Sequence, residues 1–118
     1  MVTYCQAEVI IRHFDIEELN EQTTIEEFCK EATAWVDTAI KNYASVPLSP
    51  VPDRIRNLCE QRVKLKYRLD RAHTPELASS LREQLAVLDE DLAFYVEKTY
   101  PESTAATPTA FIVGESET

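Results

Sequence analysis

The sequence predicts an all-α protein, a small bundle of about four helices joined by a proline-rich loop and followed by an extended C-terminal arm. Three observations predict it. Apolar residues recur at helical spacing through most of the first hundred positions. The 118 residues include a single glycine, Gly114, so tight strand-to-strand turns have almost no raw material. The only β-prone apolar patch, Ala110-Phe111-Ile112-Val113, stands alone near the C-terminus.

A first short helix is expected from Gln6 to Phe14, with Val9, Ile10 and Phe14 apolar. Residues 15–19 carry a weak pattern that fits one further turn. Thr23 or Thr24 is expected to open the second helix, and with Thr24 as the cap, Glu27 three residues on completes a capping box. Ile25, Phe28, Cys29, Ala32, Trp35, Val36, Ala39, Ile40 and Tyr43 then share one face of about five turns, the clearest periodic signal in the chain. Pro47, Pro50 and Pro52 interrupt it. A residue before proline avoids the helical region, so Val46, Ser49 and Val51 run extended and set the angle between the flanking helices.

Pro52 is expected at the first position of the third helix, where its missing N–H costs nothing, with Asp53 beside the positive helix end. This helix runs to about Ala72. Thr74 caps the fourth, which starts at Pro75 and reaches Lys98. Leu77, Leu81, Leu85, Leu88, Leu92 and Tyr95 recur along it at steps of four and three, a seam read as a core face in preference to a coiled coil. Residues 1–100 form the helical domain and 101–118 the arm. Glu102 to Thr109 is a small-residue tether, and Ala110 to Val113 either frays or docks by strand addition.

Charge narrows the function. A net charge of −9 opposes general nucleic-acid binding, which needs a positive surface to displace counterions from phosphates. No apolar run approaches the roughly 18–20 residues of a membrane span, and the N-terminus shows no export signal. Residues 1–50 carry nine acids against three bases, and residues 74–118 nine against two. Residues 51–73 reverse this, with seven bases against three acids. That basic helix either neutralises acids on its neighbours, contacts nucleic acid, or forms a charged seam between subunits.

No catalytic constellation is evident. A chain with one glycine cannot build a phosphate-cradling loop. His13 and His73 lie far apart with no nucleophile beside either, and both read as structural or solvated. The acidic pairs Glu17-Glu18 and Glu26-Glu27 and the run Asp89-Glu90-Asp91 read as solvated helix faces, without the Glu-x-x-His step of a helical di-metal site. Cys5, Cys29 and Cys59 form no CxxC pair, and Cys29 and Cys59 fall on apolar faces as reduced core residues. The expectation is therefore no enzyme, no cofactor and no metal.

Several short stretches carry a family resemblance: Tyr4-Cys5-Gln6-Ala7-Glu8-Val9, Val36-Asp37 with Ile40 and Tyr43, Val46-Pro47-Leu48, Val51-Pro52 with Ile55, and Tyr67-Arg68-Leu69. Together, over residues 4–98, the chain resembles the head–tail adaptor proteins of tailed bacteriophages, in particular the Mu-like head–tail joining family and related head-completion proteins. The resemblance implies a non-enzymatic virion component made in the host cytoplasm. Such proteins form a homo-oligomeric ring, usually a dodecamer, beneath the portal protein. The ring extends the DNA channel and receives a stopper or tail-terminator protein, and the genome passes through without specific binding.

The residues expected to meet partners are Val46, Leu48 and Val51 of the proline loop, Arg54 and Arg62 of the basic helix, and Phe111, Ile112 and Val113 of the arm. The competing reading is a small acidic helical regulator, an inhibitor of DNA-mimic or antitoxin type that binds a host protein. The basic third helix counts against a DNA mimic.

Overall fold

The computed structural model describes residues 3–100 and contains four helices, α1 Ala7–Phe14, α2 Leu19–Ile40, α3 Asp53–Asp70 and α4 Pro75–Thr99. The all-α expectation holds. The arm, 101–118, lies outside the described residues. Helix α3 packs between α2 and α4, while α1 lies against α2 and α3.

Helix α1 stops without glycine. Asp15 takes the left-handed conformation at φ 59°, which Asp tolerates better than most residues. Its N–H then returns to Arg12 O at 3.3 Å and the Ile16 N–H to Ile11 O at 2.9 Å, the Schellman pattern that satisfies the last carbonyls. Ile16 is buried beyond this turn, and Gln22 Nε2 donates to its carbonyl at 3.2 Å, tying the turn to α2.

Helix α2 begins at Leu19, five residues before the cap expected at Thr24. Thr24 lies inside the helix and its hydroxyl donates back to Asn20 O at 3.1 Å, so no capping box forms with Glu27. The weak pattern at residues 15–19 does not form a turn of its own: 15–18 link α1 to α2, only Leu19 is helical, and the first turn of α2 is held by tertiary contacts and not by local capping. The predicted apolar face is correct. Ile25, Cys29, Ala32, Val36 and Ile40 are buried, with Phe28, Trp35, Ala39 and Tyr43 packed around them.

Pro52 is the cap residue of α3 and Asp53 its first helical residue, one step later than expected. Ile55, Leu58, Cys59, Val63, Leu65 and Tyr67 are buried along α3. Thr74 caps α4 as expected, accepting from Leu77 N–H at 3.1 Å. The leucine seam is a core face from Leu81 onward, through Leu88 and Leu92 to Val96. Leu77, at its start, is exposed.

Candidate interaction surface

Three neighbouring features could meet a partner: the proline loop, the outer side of α3, and a groove between the C-terminal parts of α2 and α4.

The loop is fastened by Tyr4. This side chain is 2% exposed, and its hydroxyl donates to Asp37 Oδ1 on α2 while accepting from the Leu48 N–H at 2.8 Å. Burial, reinforced by the bond to Asp37, pushes the Tyr4 phenol up to about 12. The Tyr4 N–H donates to Thr33 Oγ1 at 3.0 Å, and Thr33, the one buried polar side chain among the described residues, donates in turn to Cys29 O at 2.9 Å. The Tyr4 hydroxyl and N–H and the Thr33 hydroxyl, drawn into this part of the core, are thus each paired, as burial demands. Val46, Leu48 and Val51 are half-buried and pack against the core, so each presents only part of its surface outward.

Beneath the latch the three cysteines gather. Cys5 Sγ and Cys29 Sγ share a hydrogen bond at 3.5 Å, and Cys59 Sγ donates to Ala32 O at 3.8 Å. All three are free and buried. For Cys5 the bond to Cys29 alone would lower the thiol, but contact with Cys59 and burial outweigh it and raise it to about 12. Cys29 is raised further by its bond to Cys5 and by burial. These thiols behave as small core hydrophobes with no nucleophilic character.

Three bases of this basic stretch, Arg54, Arg62 and Arg71, reach acids on the neighbouring helices, and Arg56 pairs with Asp53 of α3 itself. Arg62 lies over Trp35 with its guanidinium carbon 4.6 Å from the ring centroid, and its Nη1 stands 3.6 Å from Asp89 Oδ1 on α4. Trp35 Nε1 donates to the same Asp89 oxygen at 2.9 Å. Arg54 reaches Asp91 of α4 at 4.0 Å, and Arg71 reaches Glu21 of α2 at 3.1 Å. Glu21 also accepts from the Tyr67 hydroxyl at 2.9 Å, and Phe14 stacks against Tyr67 at 4.8 Å between centroids. The intramolecular role of the basic helix is thus real. Lys64, Lys66 and Arg68 remain outside the ion pairs found within 4.0 Å among the described residues.

The groove is lined by Ala39 of α2 and Tyr43 in the turn that follows it, and by Glu90, Ala93, Phe94, Val96, Glu97 and Tyr100 from the end of α4 and beyond. It encloses about 710 Å³. Phe94 is 60% exposed, with Lys98 Nζ over its ring at 5.4 Å.

Of the residues expected to meet partners, Val46, Leu48, Val51 and Arg54 lie along one continuous stretch, and Arg62 sits two turns further along α3. Phe111, Ile112 and Val113 lie outside the described residues. Tyr4, Asp37 and Phe94 escaped the sequence reading of the site. The first two are joined only by tertiary structure, and Phe94 sits off the leucine seam where periodicity assigns no role. No helix is long and apolar enough to cross a membrane, and among the described residues no three His, Cys, Asp or Glu side chains gather as a metal ion would require. Comparison with protein-family models, with curated proteins and with solved structures returns no match.

Proposed function

We propose that this chain is a structural head–tail adaptor of the tailed-phage kind, a ring-forming subunit that sits under a portal, extends the DNA channel and receives a stopper or tail terminator. One observation carries the reading. Three of the short stretches behind the family resemblance, those of Tyr4, Asp37 and Leu48, converge in a single hydrogen-bonded node. Residues scattered over 44 positions of sequence thereby hold the proline loop in one shape.

A preset loop suits a subunit that must repeat one contact around a ring, because little freedom is lost when it docks. Head-to-tail contacts between ring neighbours are heterologous, so the surfaces that meet must complement each other. Exposed Arg68 with half-buried Lys64 and Lys66 on α3, and exposed Glu83, Glu90 and Glu97 on α4, supply opposite charges on different helices. An acidic lumen would let DNA slide by repelling its phosphates. In this reading the arm carries Phe111, Ile112 and Val113 to the portal or to a neighbouring subunit.

The test is to mix the purified protein with the portal of the same phage and image the mixture by electron microscopy. A ring of density at the narrow end of the portal is the expected outcome. A protein that ignores portals and instead binds a nuclease or polymerase overturns the adaptor reading in favour of the acidic regulator.

A further inference from the structure

We propose that, in the free protein, the apolar segment Ala110–Val113 of the same chain occupies the groove between α2 and α4. This goes beyond the adaptor reading and does not depend on it.

The groove presents an apolar wall built from Ala39, Tyr43, Ala93, Phe94, Val96 and Tyr100, of which Ala93 and Phe94 are exposed. A 60% exposed phenylalanine beside two tyrosines at the mouth of a concavity is an expensive surface to leave in water. Where the described chain ends identifies the occupant. Tyr100, the last described residue, itself lines the groove, so whatever follows starts at its edge.

Phe111 is eleven residues further on, a reach of up to about 36 Å at roughly 3.3 Å per residue. The groove runs along α4 from Glu90 to Tyr100, about 15 Å at 1.5 Å per residue. The tether can therefore double back over the whole groove with slack, and at this length its effective concentration is in the millimolar range.

Charge selects the same occupant. Glu90 and Glu97 stand on the rim, and Glu83 continues the row at the same seven-residue interval. Two copies meeting symmetrically through this face would set those carboxylates against each other. Residues 103–114 carry no charge at all, and the acids of the tail resume only at Glu115. A neutral apolar peptide meets no repulsion from the rim.

The contact is one of side chains. The described residues contain no strand, so within its own chain Ala110–Val113 has no sheet edge to extend. Phe111 and Ile112 pack instead against Phe94 and Tyr43. A second hollow of about 440 Å³, at the other end of α4, is lined by Pro75, Glu76, Ser79, Ser80 and Glu83 and has no comparable apolar wall.

A nitroxide label on Thr109→Cys in the full chain tests this. Cys5, Cys29 and Cys59 are buried, so label uptake by the protein without the added cysteine serves as the control. Paramagnetic broadening of the Ala39 and Tyr43 amide resonances is the decisive signal, since both lie at the C-terminal end of α2 or just past it and are far from the label in sequence. It should persist on dilution and be lost in the Phe111→Asp chain. It should also be lost with Phe94→Asp, which alters an exposed side chain and leaves the core intact.

In a mixture of spin-labelled unenriched protein with unlabelled ¹⁵N protein, those resonances should stay sharp. Broadening that appears in this mixture assigns the groove to the arm of a second copy and overturns docking within the chain. Sharp Ala39 and Tyr43 signals in the labelled protein, or broadening indifferent to both substitutions, overturn it as well. No portal is present in these samples, so the outcome is separate from that of the ring experiment.

Discussion

The Tyr4 hydroxyl donates to Asp37 on α2, 33 residues away, and at the same time accepts from the Leu48 N–H of the proline loop. One phenol thus joins the N-terminal segment, the longest-range face of α2 and the loop that leads to α3. Removing it leaves a half-buried carboxylate and a loop amide without their partner, and an unpaired group drawn out of water costs more than the bond itself contributed. Tyr4→Phe keeps the ring and deletes only the hydroxyl. It should destabilise the protein by about 1–3 kcal/mol in urea unfolding, with faster hydrogen exchange at the Leu48 amide. Unchanged stability and unchanged exchange at Leu48 would show that the latch holds nothing.

The same phenol gives the fold an alkaline limit. Its folded value, about 12, lies above the ordinary tyrosine value of 10, so the folded state favours the protonated form. That contribution is complete below the unfolded value and is lost as pH rises from about 10 towards 12. Stability measured by urea titration should fall across this window more steeply in the parent than in Tyr4→Phe. Parallel curves would assign the alkaline loss to other groups, of which Tyr67, raised by burial and its bond to Glu21, is one.

The cysteines predict a chemical readout of folding. Cys5, Cys29 and Cys59 are at most 1% exposed, and the thiols of Cys5 and Cys29 are raised well above the ordinary range. Thiolate is the reactive form, so neither burial nor protonation favours attack on a disulfide reagent. The native protein should show no fast-reacting thiol with Ellman's reagent near neutral pH. All three should become reactive together as urea unfolds the chain. One thiol reacting quickly without denaturant would mean that its part of the core opens locally.

How far the sequence reveals this molecule depends on the range of the interactions. The apolar faces of α2 and α3 and most of the α4 seam are local patterns of period 3.6, and they were legible. Thr74 was legible because a cap acts within three residues. The start of α2 was not, since Glu18 has no side-chain cap and the first turn is held by Gln22 reaching Ile16 and by Glu21 meeting Tyr67 and Arg71. The Tyr4 latch joins residues 33 and 44 positions apart, and nothing in residue spacing announces such a pair. Arg54 and Arg62 were legible as charged but not as bridges to α4, because partner choice belongs to packing.

The junction of α3 and α4 separates packing from charge. Arg62 has a side chain only 22% exposed, lying over Trp35, whereas its acidic partner Asp89 is 59% exposed. A pair so open on one side is screened and contributes little as an ion pair. The guanidinium and its stem cover the indole face, which makes the contact mainly packing and cation–π attraction. Arg62→Ala should cost about 1 kcal/mol, red-shift the fluorescence of the single tryptophan, and cost nearly the same at high salt. Arg62→Lys should recover only part, because an ammonium lacks the planar stacking surface. A loss that vanishes in high salt would return the interaction to simple charge pairing.

Thr24 and Thr74 provide a paired test of where the helices begin. Thr74 Oγ1 accepts from Leu77 N–H at the first turn of α4 and satisfies a donor that would otherwise lack a helical partner. Thr74→Ala should therefore cost about 1 kcal/mol, the usual loss for an N-cap. Thr24 has the local sequence of a cap but stands within α2, donating to Asn20 O, where a β-branched residue restricts its own rotamers. Alanine has the higher helix propensity at such a site. Thr24→Ala should thus be neutral or slightly stabilising in urea unfolding. A cost at Thr24 equal to that at Thr74 would move the start of α2 to the capping box and detach residues 19–23 from the helix.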